Sequence, residues 1–185
     1  GGHCDRRRAA RRGLYPRGMV ELRPMRVDDV ALIEQWDRDP AVRAALGGAA
    51  IDWWDWEVEI ARDVSWRDLS IAEDDGRAIG FVQLTDAHDE ETHYWGDVEP
   101  GTWALDIWIG SGVDRGRGLG RSMMDAAVGR CFERHGARVI LIDPLLTNTA
   151  AIRFYDRYGF ETVGERDFDG DRCLVMRLDR TPTSS

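Results

Sequence analysis

Apolar residues along the chain switch between a period of two and a period of three to four, and each switch marks an element. The sharpest switch lies within residues 103–121. Residues 103–109 carry Trp103, Leu105, Ile107 and Ile109 at alternate positions, which predicts a strand. From Leu119 the apolar positions Met123, Ala126, Ala127 and Cys131 recur at helical spacing, with Arg130 and Arg134 among them. Upstream, residues 20–25 read as a short strand. Asp28 and Asp29 supply the negative charge that a helix start prefers, with Val30, Ile33 and Trp36 on the buried face. Pro40 opens a second short helix that reaches Leu46 and ends at Gly47-Gly48. Residues 51–64 form a further helical segment. Its Trp53, Trp54 and Trp56 exceed what one helical face buries, so one or two of them are expected at a pocket edge. Residues 66–73 and 78–85 pair as antiparallel strands across the Asp75-Gly76 turn. Residues 87–101 are acidic and turn-rich, a solvated loop. Residues 138–143 have the continuous apolar pattern of a buried strand and stop at Pro144. A helix over residues 148–159 ends at Gly159, and residues 160–168 and 172–178 close a hairpin around Asp169-Gly170. No repeat or linker divides this run, so residues 19–180 form one domain.

What joins the central strand to its helix matters most. Gly116, Gly118 and Gly120 alternate with Arg115 and Arg117, and Arg121 follows. A strand, a glycine-rich turn and a helix start make an anion cradle. Glycine lets the backbone approach a phosphate, and the free N–H groups of the first helical turn point at it. The spacing is neither that of a P-loop, which needs a lysine this chain lacks, nor a dinucleotide fingerprint early in a βαβ unit. The expected ligand is a pyrophosphate. Asp106 is the other anomaly: a carboxylate in mid-strand costs heavily unless it reaches a cleft or caps a neighbouring element.

Composition narrows the class. A chain of 185 residues with 43% apolar content suits a single folded domain, and no apolar run approaches the roughly 18 residues that cross a bilayer. The three cysteines, Cys4, Cys131 and Cys173, are odd in number and widely spaced, as in reduced cytoplasmic thiols, and no metal site is expected. His88 and His93 find no partner at ligand spacing. Residues 1–18 hold six arginines and one aspartate; taking that +5 from the whole-chain −9 leaves −14 for the remainder. The arm reads as disordered or left by cloning ahead of Met19, and residues 181–185 as a polar tail. The acidic remainder repels nucleic acid and attracts cationic partners; neither nucleic acid nor a membrane is an expected partner.

Residues 115–120, Arg-Gly-Arg-Gly-Leu-Gly, resemble the coenzyme A pyrophosphate loop of the GNAT superfamily of N-acetyltransferases. The pattern Asn148, Ala151, Ile152, Tyr155, Gly159, Phe160 resembles the same superfamily's helix beside the pantetheine arm. Within it the chain is most similar to aminoglycoside 6′-N-acetyltransferases. Residues 22–25, 80–83, Pro100-Gly101, Leu105-Asp106, Asp143-Pro144 and Asp169-Gly170 carry that likeness. Residues 94–99 are less acidic than the family's pattern, and Gly110-Ser111-Gly112 replaces its usual approach to the loop.

The resemblance implies a mixed α/β (α+β) fold, with a mostly antiparallel central sheet flanked by helices and central strands splayed around acetyl-CoA, the co-substrate. It implies coenzyme contacts at Trp108, Ile109, Gly110, Arg115, Gly116, Arg117, Gly118, Leu119, Gly120, Arg121 and Asn148, with the N–H groups of residues 108–110 polarising the acetyl carbonyl. Asp106 is the expected base and Tyr155 the phenol at the thioester sulfur. An alkyl ammonium has a pKa near 10, so a base or a water relay must take its proton before attack. Trp95, Asp97, Glu99, Asp143 and Asp169 are expected around the acceptor, a small polycationic amine such as an aminoglycoside with a 6′-amine. Two rival readings stand beside it. One is acetylation of a protein N-terminus, a polyamine or a siderophore hydroxylysine, which a pocket with only one or two carboxylates would favour. The other is a non-catalytic acetyl-CoA-binding module. Either a monomer or a homodimer is compatible with the sequence.

Overall fold

The computed structural model describes residues 19–45 and 55–181. Expectations for the arm, for Gly47-Gly48, for Trp53 and Trp54, for Cys4 and for the tail beyond residue 181 lie outside the described residues. In chain order the elements are β1 (Glu21–Pro24), α1 (Val30–Asp37), α2 (Pro40–Ala45), α3 (Trp56–Ala61), β2 (Arg67–Asp74), β3 (Arg77–Asp86), β4 (Thr102–Ile109), α4 (Leu119–Glu133), β5 (Val139–Ile142), α5 (Thr149–Tyr158), β6 (Glu161–Phe168) and β7 (Asp171–Asp179). The strands form one sheet in the order β1-β2-β3-β4-β5-β7-β6, and every pairing is antiparallel except β4 with β5. This is the mixed, mostly antiparallel sheet that the resemblance implies.

Period two decides which residues meet which layer. Trp103 and Leu105 of β4 join Leu84, Met123, Met124, Ala127 and Ile140 in a core under α4, with Tyr155 and Phe154 of α5 packed against it. Ala104, between them, faces the opposite side with Leu141, Trp95 and Phe168. Farther along that second face, Phe81 meets Trp56 and Trp108, and the indole of Trp36 and Ile33 close the layer. α3 stops at Ala61, three residues short of the predicted end. Arg62 turns extended there and its guanidinium reaches Glu91 at 2.6 Å.

One feature of the topology positions the site. β4 pairs with β5 only between Thr102–Ala104 and Val139–Leu141, while its other edge stays paired with β3 through to Ile109. The chain after Ile142 leaves β4 and follows β7, where Leu174 N–H donates to Pro144 C=O and Leu146 N–H donates to Arg172 C=O. The two parallel strands therefore part at their carboxyl ends, the place where open α/β sheets bind ligands.

Two anchors are invisible in the pattern. Arg130 of α4 donates to Ser70 Oγ at 2.7 Å and to the Leu22 carbonyl, and it lies 3.4 Å from Asp68, which also holds His135. This ties α4 to β1 and β2. Asp114, 1% exposed, takes both terminal nitrogens of Arg77 at 2.7 and 2.8 Å and one of Arg117 at 3.1 Å. It pins the turn that leads into α4.

Candidate active site

A cleft of about 570 Å³ occupies the splay. At one end lie the backbone turns of Gly116 and Gly118. Their φ angles are +73° and +83°, in the left-handed region where glycine is favoured, and nothing stands within 4 Å of where a Cβ would sit. Gly118 is also the residue that caps the start of α4. The cradle thus has room above its backbone and, behind it, a 15-residue helix whose first N–H groups lack intrahelical acceptors. These features fit a pyrophosphate.

The arginines divide. Arg115 and Arg121 line the cleft. Arg115 is held by Asp39 at 2.9 Å, and Arg121 reaches Asp125 at 3.2 Å while covering the Tyr158 ring at 4.4 Å. Arg117 turns to Asp114 and does not line the cleft. Leu119 is a core residue at 8% exposure, so any contact with a coenzyme would come from its backbone.

The strand edge also differs from the expectation for residues 108–110. Gly110 N–H donates to Ile79 C=O at 3.0 Å, and Ala87 N–H to Thr102 C=O. In an antiparallel ladder these groups alternate, so the N–H groups of Trp108 and Asp106 also face β3. Those of Ile107 and Ile109 face the splay, where no strand lies opposite. Ile107, absent from the predicted set, therefore belongs with Ile109 on the edge open to a ligand. Gly110 has a packing role instead, because a Cβ there would lie 2.0 Å from the Trp36 ring.

Asp106 and Asp143 meet where the splay begins. Each lies two residues beyond the last β4–β5 pair, both line the cleft, and they are close enough for the Asp143 charge to act on Asp106. Asp106 is open to the cavity, yet protein surrounds it. Burial, and then the Asp143 charge, push its pKa up to about 7. Burial also raises Asp143, against a hydrogen bond from the Tyr94 hydroxyl and the nearby charge of Arg166. Tyr155 lines the cleft from the α5 side. Desolvation, and then the charges of Asp106 and Asp143, raise its pKa, so it remains a neutral phenol at working pH. Asn148 caps α5, its Oδ1 accepting from Ala151 N–H at 3.2 Å, which leaves its amide NH₂ for the cleft that it also lines.

Four residues expected around the acceptor are placed elsewhere. Trp95, 7% exposed, packs among Ala87, Ala104, Leu141 and Phe168 and is a core residue. Glu99 lines a separate surface hollow with Arg138 and Arg177, beyond the opposite end of β4. Asp97 and Asp169 are exposed and do not line the cleft; Asp169 sits in the β6–β7 turn at φ +53°. Among the described residues, Asp106 and Asp143 are the carboxylates that line it. No cluster of potential metal ligands occurs among the described residues. Cys131 and Cys173 are buried thiols, each pushed up to about 12 mainly by desolvation.

Known proteins resemble this chain in sequence and fold. Residues 26–168 match the acetyltransferase (GNAT) domain family. A spermine/spermidine N(1)-acetyltransferase of Bacillus subtilis (strain 168) is 36% identical over 106 residues, 56% of this chain and 66% of that protein, just under two thirds of its length. An aminoglycoside N(6′)-acetyltransferase type 1 of Klebsiella pneumoniae is 27% identical over 159 residues, 78% of this chain and 75% of the relative. Among solved structures, an aminoglycoside acetyltransferase in complex with coenzyme A and kanamycin superposes with a TM-score of 0.76 at 25% identity, covering 87% of this chain and 95% of that one. With the family match spanning most of the chain over the same splayed sheet and glycine turn, this protein belongs to the GNAT acetyltransferase family.

Proposed function

We propose that this protein transfers the acetyl group of acetyl-CoA to a primary amine of a small polycation, with both substrates bound together. The observation that carries the reading is the carboxylate pair Asp106 and Asp143, on one side of a splay whose other side holds the neutral Tyr155 phenol. Gly116, Gly118 and the first turn of α4 hold the pyrophosphate, with Arg115 and Arg121 beside it. Ile107 and Ile109 offer backbone donors and acceptors to the pantetheine amides, and Asn148 offers its amide from α5. Acetyl-CoA supplies a thioester carbon open to nucleophilic attack. Asp106 takes a proton from the acceptor ammonium and becomes a carboxylic acid, which frees the amine lone pair. The new C–N bond forms as the C–S bond breaks. Tyr155 donates its proton to the departing sulfur and recovers one from the nitrogen, which has become an amide. Asp143 keeps a negative charge beside the incoming cation.

The acceptor read from the resemblance is the 6′-amine of an aminoglycoside, supported by the relative aligned over three quarters of its length and by the neighbour bound to kanamycin. A polyamine is the second reading. Two cleft carboxylates, where five were expected with the base included, suit a slimmer cation, and the spermine/spermidine relative has the higher identity. Thiol release from acetyl-CoA would be followed against kanamycin, an analogue with a 6′-hydroxyl, spermine, spermidine and a peptide. Turnover with kanamycin and none with the hydroxyl analogue supports the first acceptor. Turnover confined to spermine and spermidine supports the second. A protein that acetylates only the peptide overturns both.

A further inference from the structure

Residues 87–101 read as a solvated loop, yet they carry a tyrosine to the carboxylate pair. The Tyr94 hydroxyl donates a 2.7 Å hydrogen bond to Asp143 Oδ2. Its ring stacks on Phe168, with centroids 4.3 Å apart and planes 8° apart. Its backbone N–H donates to Glu90 Oε1 at 2.5 Å, and its carbonyl accepts from Arg166 Nη2 at 3.3 Å. Glu90 is itself buried, at 5% exposure, and its second oxygen takes both the N–H and the hydroxyl of Thr92. A buried acid, a stacked ring and a guanidinium thus fix one phenol on one carboxylate.

We propose that Tyr94 is a positioning residue: its hydroxyl fixes Asp143 as the ionised member of the Asp106–Asp143 pair, so that the proton from the acceptor settles on Asp106. This rests on Asp106 as the base of the proposed transfer. A donor to a carboxylate stabilises its charged form, and two neighbouring carboxylates do not both ionise freely. Asp143 has that donor, whereas Asp106 is affected only by burial and by Asp143. The other groups acting at Asp143 are its own backbone N–H and Arg166 from β6, which work in the same direction as Tyr94, with Tyr155 from α5 and the Cys173 thiol from β7. Both phenols and the thiol have raised pKa values and stay neutral through the working range, so the pair divides the proton according to Tyr94 first, with the Asp143 backbone N–H and Arg166 beside it. The two carboxylates thereby take separate roles. Asp106 cycles its proton, and Asp143 holds its charge beside the cation.

Tyr94→Phe removes the hydroxyl and keeps the stacked ring and both backbone bonds. The measurement is a carboxyl ¹³C titration of aspartate-labelled full chain, together with pH profiles of kcat and of KM for the amine. Without the hydroxyl the Asp143 midpoint should rise by about one pH unit and the Asp106 midpoint should fall. The acidic limb of kcat should move to lower pH, while the amine KM rises below neutrality as Asp143 loses charge. Adding Tyr94→Phe to Asp143→Asn should leave the limb where Asp143→Asn alone puts it. Midpoints unchanged by Tyr94→Phe overturn the proposal. Midpoints that move under an unmoved kcat limb overturn the proton's destination and, separately, the reading of Asp106 as base.

Discussion

Gly118→Ala separates the cradle's conformational demand from its ligand. At φ +83° an L-residue is strained by roughly 1–2 kcal/mol, and the added methyl meets no protein atom within 4 Å. The fold should therefore lose about 1–2 kcal/mol, a drop of about 2–8 °C in Tm for a chain of this size. The same open space is where a pyrophosphate would approach the start of α4. Pushing it back weakens hydrogen bonds to a charged group, each worth about 1.5–3 kcal/mol. Losing one weakens acetyl-CoA binding by about 10- to 100-fold. Gly136→Ala is the matched control. It also has a positive φ, +69°, with nothing within 4 Å of an added methyl, and it lies outside the cleft. Both variants should lose similar stability in a melting experiment. In calorimetry with acetyl-CoA only Gly118→Ala should lose affinity. Equal coenzyme affinity in the two variants would refute the cradle.

Three further outcomes follow from the site. Asp106→Asn should lower kcat about 100-fold or more with little change in acetyl-CoA affinity; in the wild type, a base raised to about 7 makes activity fall as pH drops through 7, so a profile flat down to pH 5 would exclude it. Asp114→Ala should cost about 1–3 kcal/mol in denaturant unfolding and raise the KM for acetyl-CoA, because the turn into α4 loses its buried tie. The Asp114 carboxyl is held below the usual range chiefly by its Arg77 hydrogen bonds. Its contribution is therefore complete above about pH 4 and lost as pH falls through the lowered value, a window that an acid titration of wild type against variant would reveal. Asp143→Ala should reduce kcat/KM for a cationic amine at least tenfold, whereas Asp169→Ala, exposed and off the cleft, should change it less than about fivefold in steady-state assays.

Whatever depends on neighbours along the chain was legible in the residues alone. Alternation in residues 103–109 fixes β4 and puts Asp106 on the face opposite Leu105. The glycine spacing fixes the cradle, because left-handed backbone is a local demand that glycine meets. Asn148 and Gly159 bound α5 by local capping. Which side chains meet across the sheet was not legible there. Glu90 and Tyr94 sit in a stretch that reads as solvated loop and Asp114 in the approach to the glycine turn, and two of the three are held by partners remote in sequence: Tyr94 by Asp143, 49 residues away, and Asp114 by Arg77, 37 away. Trp95 went the other way, an aromatic expected at the acceptor that the β5–β7 layer absorbs into its core. Asp97, Glu99 and Asp169 are acidic like the cleft pair, but charge alone carries no direction. Only the parting of β4 from β5 decides which carboxylates share a cavity, and that parting is set by β7 taking the chain after Pro144, a pairing distant in sequence.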